Sequence, residues 1–132
     1  MRSETILFIQ TESVHISREA LHTLCSHQDY KKNKVIVLCR SEDAKSLGTI
    51  NGIHRVFKWK KGNLFSNWSI FFSLKRLNPR VVSAVLSKRH VYRKARLLLL
   101  LFWRHQILVF DSSLKYSLVR INNLSILSKI FY

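Results

Sequence analysis

Glu12 and His15 follow the first apolar run of the chain, and Asp111 follows a later one, Gln106 to Phe110. A carboxyl and an imidazole that close in sequence could exchange a proton, and either acid could act as a general base or pair with arginine. Pairing is the plainer role, because a lone acid in a positive field stays ionised. A lone loop histidine is ordinarily just a polar residue. The second cluster is cationic: Lys88 and Arg89, then Tyr92, Arg93 and Lys94. These residues open a helix in the pattern of the chain, where guanidinium groups join free backbone N–H groups and the positive end of the helix dipole. That combination binds phosphate. Arg89, Arg93 and Arg96 also share one helical face by spacing. A solvated basic face without a ligand fits the same residues, and both readings stand.

Placing these groups together requires strands and helices in alternation. Thr5 to Gln10 is short and rich in branched residues, as a strand buried on both faces would be. A loop, Thr11 to Ile16, leads to Ser17, which is suited to cap a helix from 18 to about 27 with Glu19 in its positive first turn. Lys34 to Cys39 repeats the strand pattern, and Ser41-Glu42-Asp43 opens a short helix ending near Gly48. His54 to Trp59 alternates more, like a strand nearer an edge. A helix through Leu64, Trp68, Phe71, Phe72, Leu74 and Leu77 ends before Pro79, which disfavours helical geometry in the residue ahead of it. Val81 to Leu86 is a fourth strand, Arg89 to Trp103 a fourth helix, and Gln106 to Phe110 a fifth strand. Strands separated by helices cannot close as hairpins. The predicted fold is therefore a single α/β domain with a Rossmann-like, doubly wound, mostly parallel sheet of about five strands over residues 1–113.

In such a sheet ligands bind beyond the carboxyl ends of the strands, where the strand order reverses. With the first and fourth strands adjacent, one crevice receives Thr11, Glu12, Ser13, His15 and Ser17 from the first loop. It receives Ser87, Lys88, Arg89, His90, Tyr92, Arg93 and Lys94 from the fourth, and Asp111, Ser112 and Ser113 from the end of the fifth. Glu12 and His15 are the candidate catalytic pair. Ser17, Lys88, Arg89, Tyr92, Arg93, Lys94 and Asp111 are the candidate ligand-phosphate set. No catalytic triad is visible, and neither GxGxxG nor GxxxxGK[ST] occurs, so a nucleotide would bind without the Gly-rich phosphate signatures. Cys25 and Cys39 lie 14 residues apart without CxxC or His-rich spacing, which reads as two buried, reduced cysteines rather than a metal site. No cofactor is indicated.

The 132 residues suffice for one core and are short for two domains. With 47% hydrophobic residues the chain lies outside the composition of disordered proteins. The net charge is +16, yet six of the seven acids fall within the first 43 residues while residues 44–132 hold 17 of the 23 lysines and arginines. That field attracts polyanions over roughly 8 Å at physiological salt, which admits phosphorylated substrates, anionic lipid and nucleic acid. Trp59, Trp68 and Tyr92 among basic residues could stack on nucleic-acid bases, but helical spacing toward a core accounts for them better, and no RNP-like or zinc-finger pattern is present.

Residues 114–132 form a basic, apolar tail without acids, expected as a final helix. It either packs on the sheet or lies on an anionic membrane, where each Lys or Arg contributes about 1 kcal/mol. The apolar run Leu97 to Trp103 covers seven residues against the roughly 20 a span requires. The first residues lack a signal-peptide pattern, so the expected location is cytoplasmic, peripheral at the inner face of the membrane if the tail binds lipid.

The order of the pieces resembles the amino-terminal half of heptosyltransferase-type (GT-B) glycosyltransferases: ILFIQT, SREALHTL, INGIHRVFKW, VVSAVLS, YRKARLLLLL and HQILVFDSS, spanning about residues 5–113. The segment VYRKARLLLLLFWRHQILVF is also similar to small bacterial glycosyltransferase-like proteins. The resemblance implies a glycosyltransferase-like domain of surface-polysaccharide or lipid-linked glycan metabolism, with an anionic sugar-phosphate or lipid-linked glycan as ligand. Those enzymes carry Gly-Asp after the first strand, with the Asp as base, whereas this loop reads TESVHIS; Glu12 is a substitute by location only. They also have a second Rossmann-like domain, so the resemblance implies a half-enzyme, a subunit awaiting a partner glycosyltransferase subunit, or a domain that has lost activity. The alternative is a non-catalytic basic module docking on anionic membrane or a partner enzyme, with nucleic-acid binding third.

Overall fold

A computed structural model describes residues 5–26, 33–59, 72–73, 76, 79–86, 106–111 and 115–119. Short, mostly apolar runs rich in branched residues form the inner strands, β1 (Thr5–Ile9), β2 (Lys34–Arg40), β4 (Val81–Val85) and β5 (Gln106–Phe110). β3 (Ile53–Trp59) and β6 (Tyr116–Val119) complete one six-stranded sheet in the order β3-β2-β1-β4-β5-β6. Every pairing is parallel except β5 with β6. The alternating strand at Ile53–Trp59 stands at one edge of this order, with His54, Arg55 and Lys58 exposed, as its mixed pattern predicts. Charged side chains on an edge discourage pairing with foreign strands.

Both faces of the sheet are covered. On one, Ile6, Phe8, Val35, Val37, Val81, Val85, Leu108 and Phe110 form a core with Ala20, Leu21 and Leu24 of α1 (Val14–Ser26) and with Leu47 of α2 (Ala44–Gly48). On the other, Leu7, Ile9, Ile36, Leu38, Val82, Ala84, Ile107 and Val109 are also buried. Burial of successive residues whose side chains alternate between faces is the mark of a sheet sandwiched between two layers. The α/β, Rossmann-like, doubly wound and mostly parallel architecture stands as read from the sequence. Arg18 of α1 ties the two helices together: its guanidinium donates to the Ser46 carbonyl at 2.5 Å, near the negative end of α2.

Three local expectations are corrected. α1 starts at Val14 rather than 18, so Ser17 is no cap but lies buried in the first turn, where its N–H bonds the Ser13 carbonyl at 3.0 Å. Ser13 therefore takes the boundary position, and Glu19 falls beyond the first turn. The tail does not begin as a helix: Tyr116–Val119 pair antiparallel with β5, Phe110 opposite Tyr116 and Ile107 opposite Val119, so the sheet continues past residue 113. Branched and aromatic residues near a free strand edge prefer the ladder, and a short turn makes the hairpin local. Phe72, counted in an apolar stripe, is helical but 63% exposed. The expected helix Arg89 to Trp103, most of the helix before Pro79 and residues 120–132 lie outside the described residues.

Candidate functional site at the sheet switch point

β1 and β4 are neighbours, as the expected crevice requires, and their ladder is short: Ile6 pairs with Val81, Leu7 with Val82 and Phe8 with Ser83. The ladders to either side run further, to Ile9 beside Leu38 and to Val85 beside Phe110. The Gln10 N–H extends the first by donating to the Leu38 carbonyl at 2.8 Å, and the Leu86 N–H extends the second by donating to the Phe110 carbonyl at 2.9 Å. The strand order thus reverses where backbone pairing between β1 and β4 stops. In open α/β sheets such a fork is where ligands bind.

Three polar residues in a row close the floor of the fork, and Gln10, Thr11 and Glu12 all have 0% exposure. Most buried polar groups in proteins are hydrogen-bonded, and these three are. The Thr11 hydroxyl crosses the fork and donates to the Val85 carbonyl at 2.5 Å, joining the ends of β1 and β4. Gln10 turns the other way: its Oε1 accepts the Arg40 N–H at 2.9 Å and its Nε2 donates to Asp43 Oδ2 at 2.8 Å, locking β1 to the end of β2 and the 3-10 turn Ser41–Asp43. The Ser17 hydroxyl donates to the Glu12 carbonyl at 3.2 Å, drawing α1 onto the same loop. Glu12 turns its own Oε1 to the Ser13 N–H, a long contact of 3.4 Å at the entrance of α1.

Of the sequence-chosen residues, Glu12 and Ser17 come together in this floor, both buried. His15 sits one residue into α1, exposed to solvent, on a helix rather than in a loop. Asp111 shapes a turn: its Oδ1 accepts the Lys115 N–H at 3.0 Å while its own N–H donates to the Lys115 carbonyl at 2.9 Å, which closes the connection from β5 to β6. Lys88, Arg89, Tyr92, Arg93 and Lys94, together with Ser87, His90, Ser112 and Ser113, lie outside the described residues. Gln10 was missed as a site residue. Its signal was a polar side chain directly after a fully apolar strand, where a long amide can reach a neighbouring strand end.

The rim carries mixed charge. Arg40 pairs with Glu42, the arginine side chain 17% and the glutamate 59% exposed. In the core beside it, burial pushes the Cys39 thiol up to about 12, with Asp43 adding to the rise and Lys58 opposing it. Burial likewise raises Cys25. Both cysteines are free, Cys39 buried and Cys25 half-buried. Among the described residues no three His, Cys, Asp or Glu side chains gather in a way that could hold a metal ion. Nor is any helix among them long and apolar enough to cross a membrane.

Compared with protein families, curated proteins and solved structures, the chain finds no match.

Proposed function

We propose that this domain receives an anionic, phosphorylated ligand of the sugar-phosphate or lipid-linked glycan class at the switch point, as a glycosyltransferase-like subunit. The observation that carries the reading is the fork between β1 and β4. In the sequence, β4 and Leu86 are followed two residues on by Lys88, and then by Arg89, Tyr92, Arg93 and Lys94. At the fork itself Thr11 and Gln10 brace the strand ends. Charge-assisted hydrogen bonds from arginine to phosphate supply most of the affinity in this arrangement.

Full burial and internal bonding of the β1 loop favour binding over catalysis by this chain alone. Glu12 is enclosed and His15 stands on the outer rim, so transfer chemistry calls for a partner glycosyltransferase subunit that brings the donor and a base. Such a pair would work where lipid-linked glycans are assembled, at the inner face of the membrane.

Titration calorimetry of the full chain with glucose 1-phosphate at fixed ionic strength tests the reading. Each charge-assisted contact contributes about 1.5–3 kcal/mol, so Arg89→Ala with Arg93→Ala should weaken binding roughly 100-fold or more. An unchanged affinity in the double variant would reject the site.

A further inference from the structure

We infer that the outer edge of β3 is a docking edge for an acidic, extended segment of a partner protein, which adds to the sheet as a further strand. β3 (Ile53–Trp59) ends the strand order, paired with β2 on one side, and among the described residues no strand pairs with its other side. Alternate N–H and C=O groups of an edge strand point away from the sheet, and such a row is satisfied by water or by another extended chain. The side chains along the row decide which chain.

Register fixes what each position offers. Ile53 stands opposite Val35 and Arg55 opposite Ile36, so His54 is an extra residue, a bulge at the start of the strand. Regular pairing with β2 runs on from Arg55 to Trp59. Arg55 and Phe57 share one face, where the guanidinium carbon lies 4.5 Å from the ring centroid, a contact that orients the charge along the strand. Val56 and Lys58 share the other, where Val56 packs against the core and Lys58 is exposed. Two exposed cations three positions apart therefore bracket Val56 and Phe57, each half-buried with apolar surface still open. A second copy of this strand is a poor occupant, because antiparallel pairing centred on Val56 and Phe57 sets Arg55 against Lys58. A nucleic-acid strand meets the charge but has no row of amides to continue the ladder. The partner that fits both carries acids opposite Arg55 and Lys58, with two apolar residues between them opposite Val56 and Phe57.

Backbone amide NMR of the full chain, titrated with the end-capped peptide Thr-Glu-Val-Val-Glu-Thr, tests this. The probe reads the same in both directions and so suits parallel or antiparallel addition. Shifts should centre on residues 55–58, with amide exchange slowed at alternate positions. Thr-Lys-Val-Val-Lys-Thr should leave those amides in place, a comparison that requires no variant. N-methylation of both valines keeps the charges and blocks backbone pairing along either edge of the peptide, and should abolish the response. Arg55→Glu with Lys58→Glu should weaken the acidic peptide roughly tenfold or more and let the lysine peptide bind in its place. Both side chains are exposed, so amide shifts away from β3 should stay those of the parent. An N-methylated peptide that binds as well as the unmethylated one would overturn strand addition, and a lysine peptide as effective as the acidic one would overturn the choice of partner. No shift at residues 55–58, or a response there to oligothymidylate and not to the peptide, would overturn the docking edge itself.

Discussion

Replacing Thr11 by valine keeps the side-chain shape and removes one hydroxyl, the group that bridges the fork to the Val85 carbonyl at 2.5 Å. Both groups are fully buried, so the carbonyl is left without that donor in a place water does not reach. Leaving a buried acceptor unmade costs about 1–3 kcal/mol. Unfolding entropies near 2.1 cal/mol/K per residue imply that each kcal/mol lowers Tm by about 3.6 °C for a chain of 132 residues. Thr11→Val should therefore lower Tm by roughly 4–11 °C, read by calorimetry and by urea denaturation with an unchanged m-value. Thr11→Ser keeps the hydroxyl and loses one methyl, a change of about 1 kcal/mol. The pair also separates stability from function. Val85 stands three residues before Lys88, so loosening it should weaken glucose 1-phosphate binding in Thr11→Val and spare it in Thr11→Ser, at a temperature where both are folded. A valine variant as stable as the parent, or a serine variant that binds as poorly as valine, would refute the role given to this bond.

Gln10→Leu strips the partners from the Arg40 N–H and from Asp43, and should cost about 2–4 kcal/mol with chemical-shift changes centred on residues 40–43; changes confined to position 10 would argue against the lock. Gly52 has a φ of +107°, and a Cβ there would lie 3.2 Å from the Cys25 side chain. Gly52→Ala should cost about 1–3 kcal/mol by chemical denaturation, and trimming the neighbour with Cys25→Ala should return part of it, whereas additive losses would contradict a clash. For Cys39 the folded thiol is raised from 9.0 to about 12, so the unfolded chain loses its proton first. The stability is whole below about pH 9 and is lost as pH rises toward 12, by a ceiling on the order of 4 kcal/mol. The difference in stability between the parent and Cys39→Ala should shrink over that window, and a difference independent of pH would reject it.

How much was legible can be followed residue by residue. Ile6 to Ile9, Val35 to Cys39, Val81 to Val85 and Ile107 to Phe110 read as buried strands because the runs are short, rich in branched residues and apolar on both faces. The loops between them were long enough for crossovers, and from those two facts the parallel order follows. Boundaries were less secure. Ser17 looks like a cap from its neighbours, but Ser13 takes that position because Ser17 has a better use: its hydroxyl reaches the Glu12 carbonyl only once the loop has folded back. The tail misled for a similar reason, since Tyr116 to Val119 can be helix or strand in isolation, and the open edge of β5 decides for strand.

The sequence by itself determined the alternation of strands and helices, the mostly parallel sheet and the accumulation of positive charge after residue 43, because these depend on composition and on local periodicity. Only the tertiary structure decided what the polar residues after β1 do. Gln10 reads as the end of a strand and Thr11 and Glu12 as loop residues, and each answers to a partner far away or to the helix it precedes: Gln10 to Asp43, Thr11 to Val85, Glu12 to the entrance of α1. The physical reason is burial. A polar group enclosed at the meeting point of two strands must find a bond, and which bond is within reach is settled by the register of β1 against β2 and β4, which no local pattern encodes.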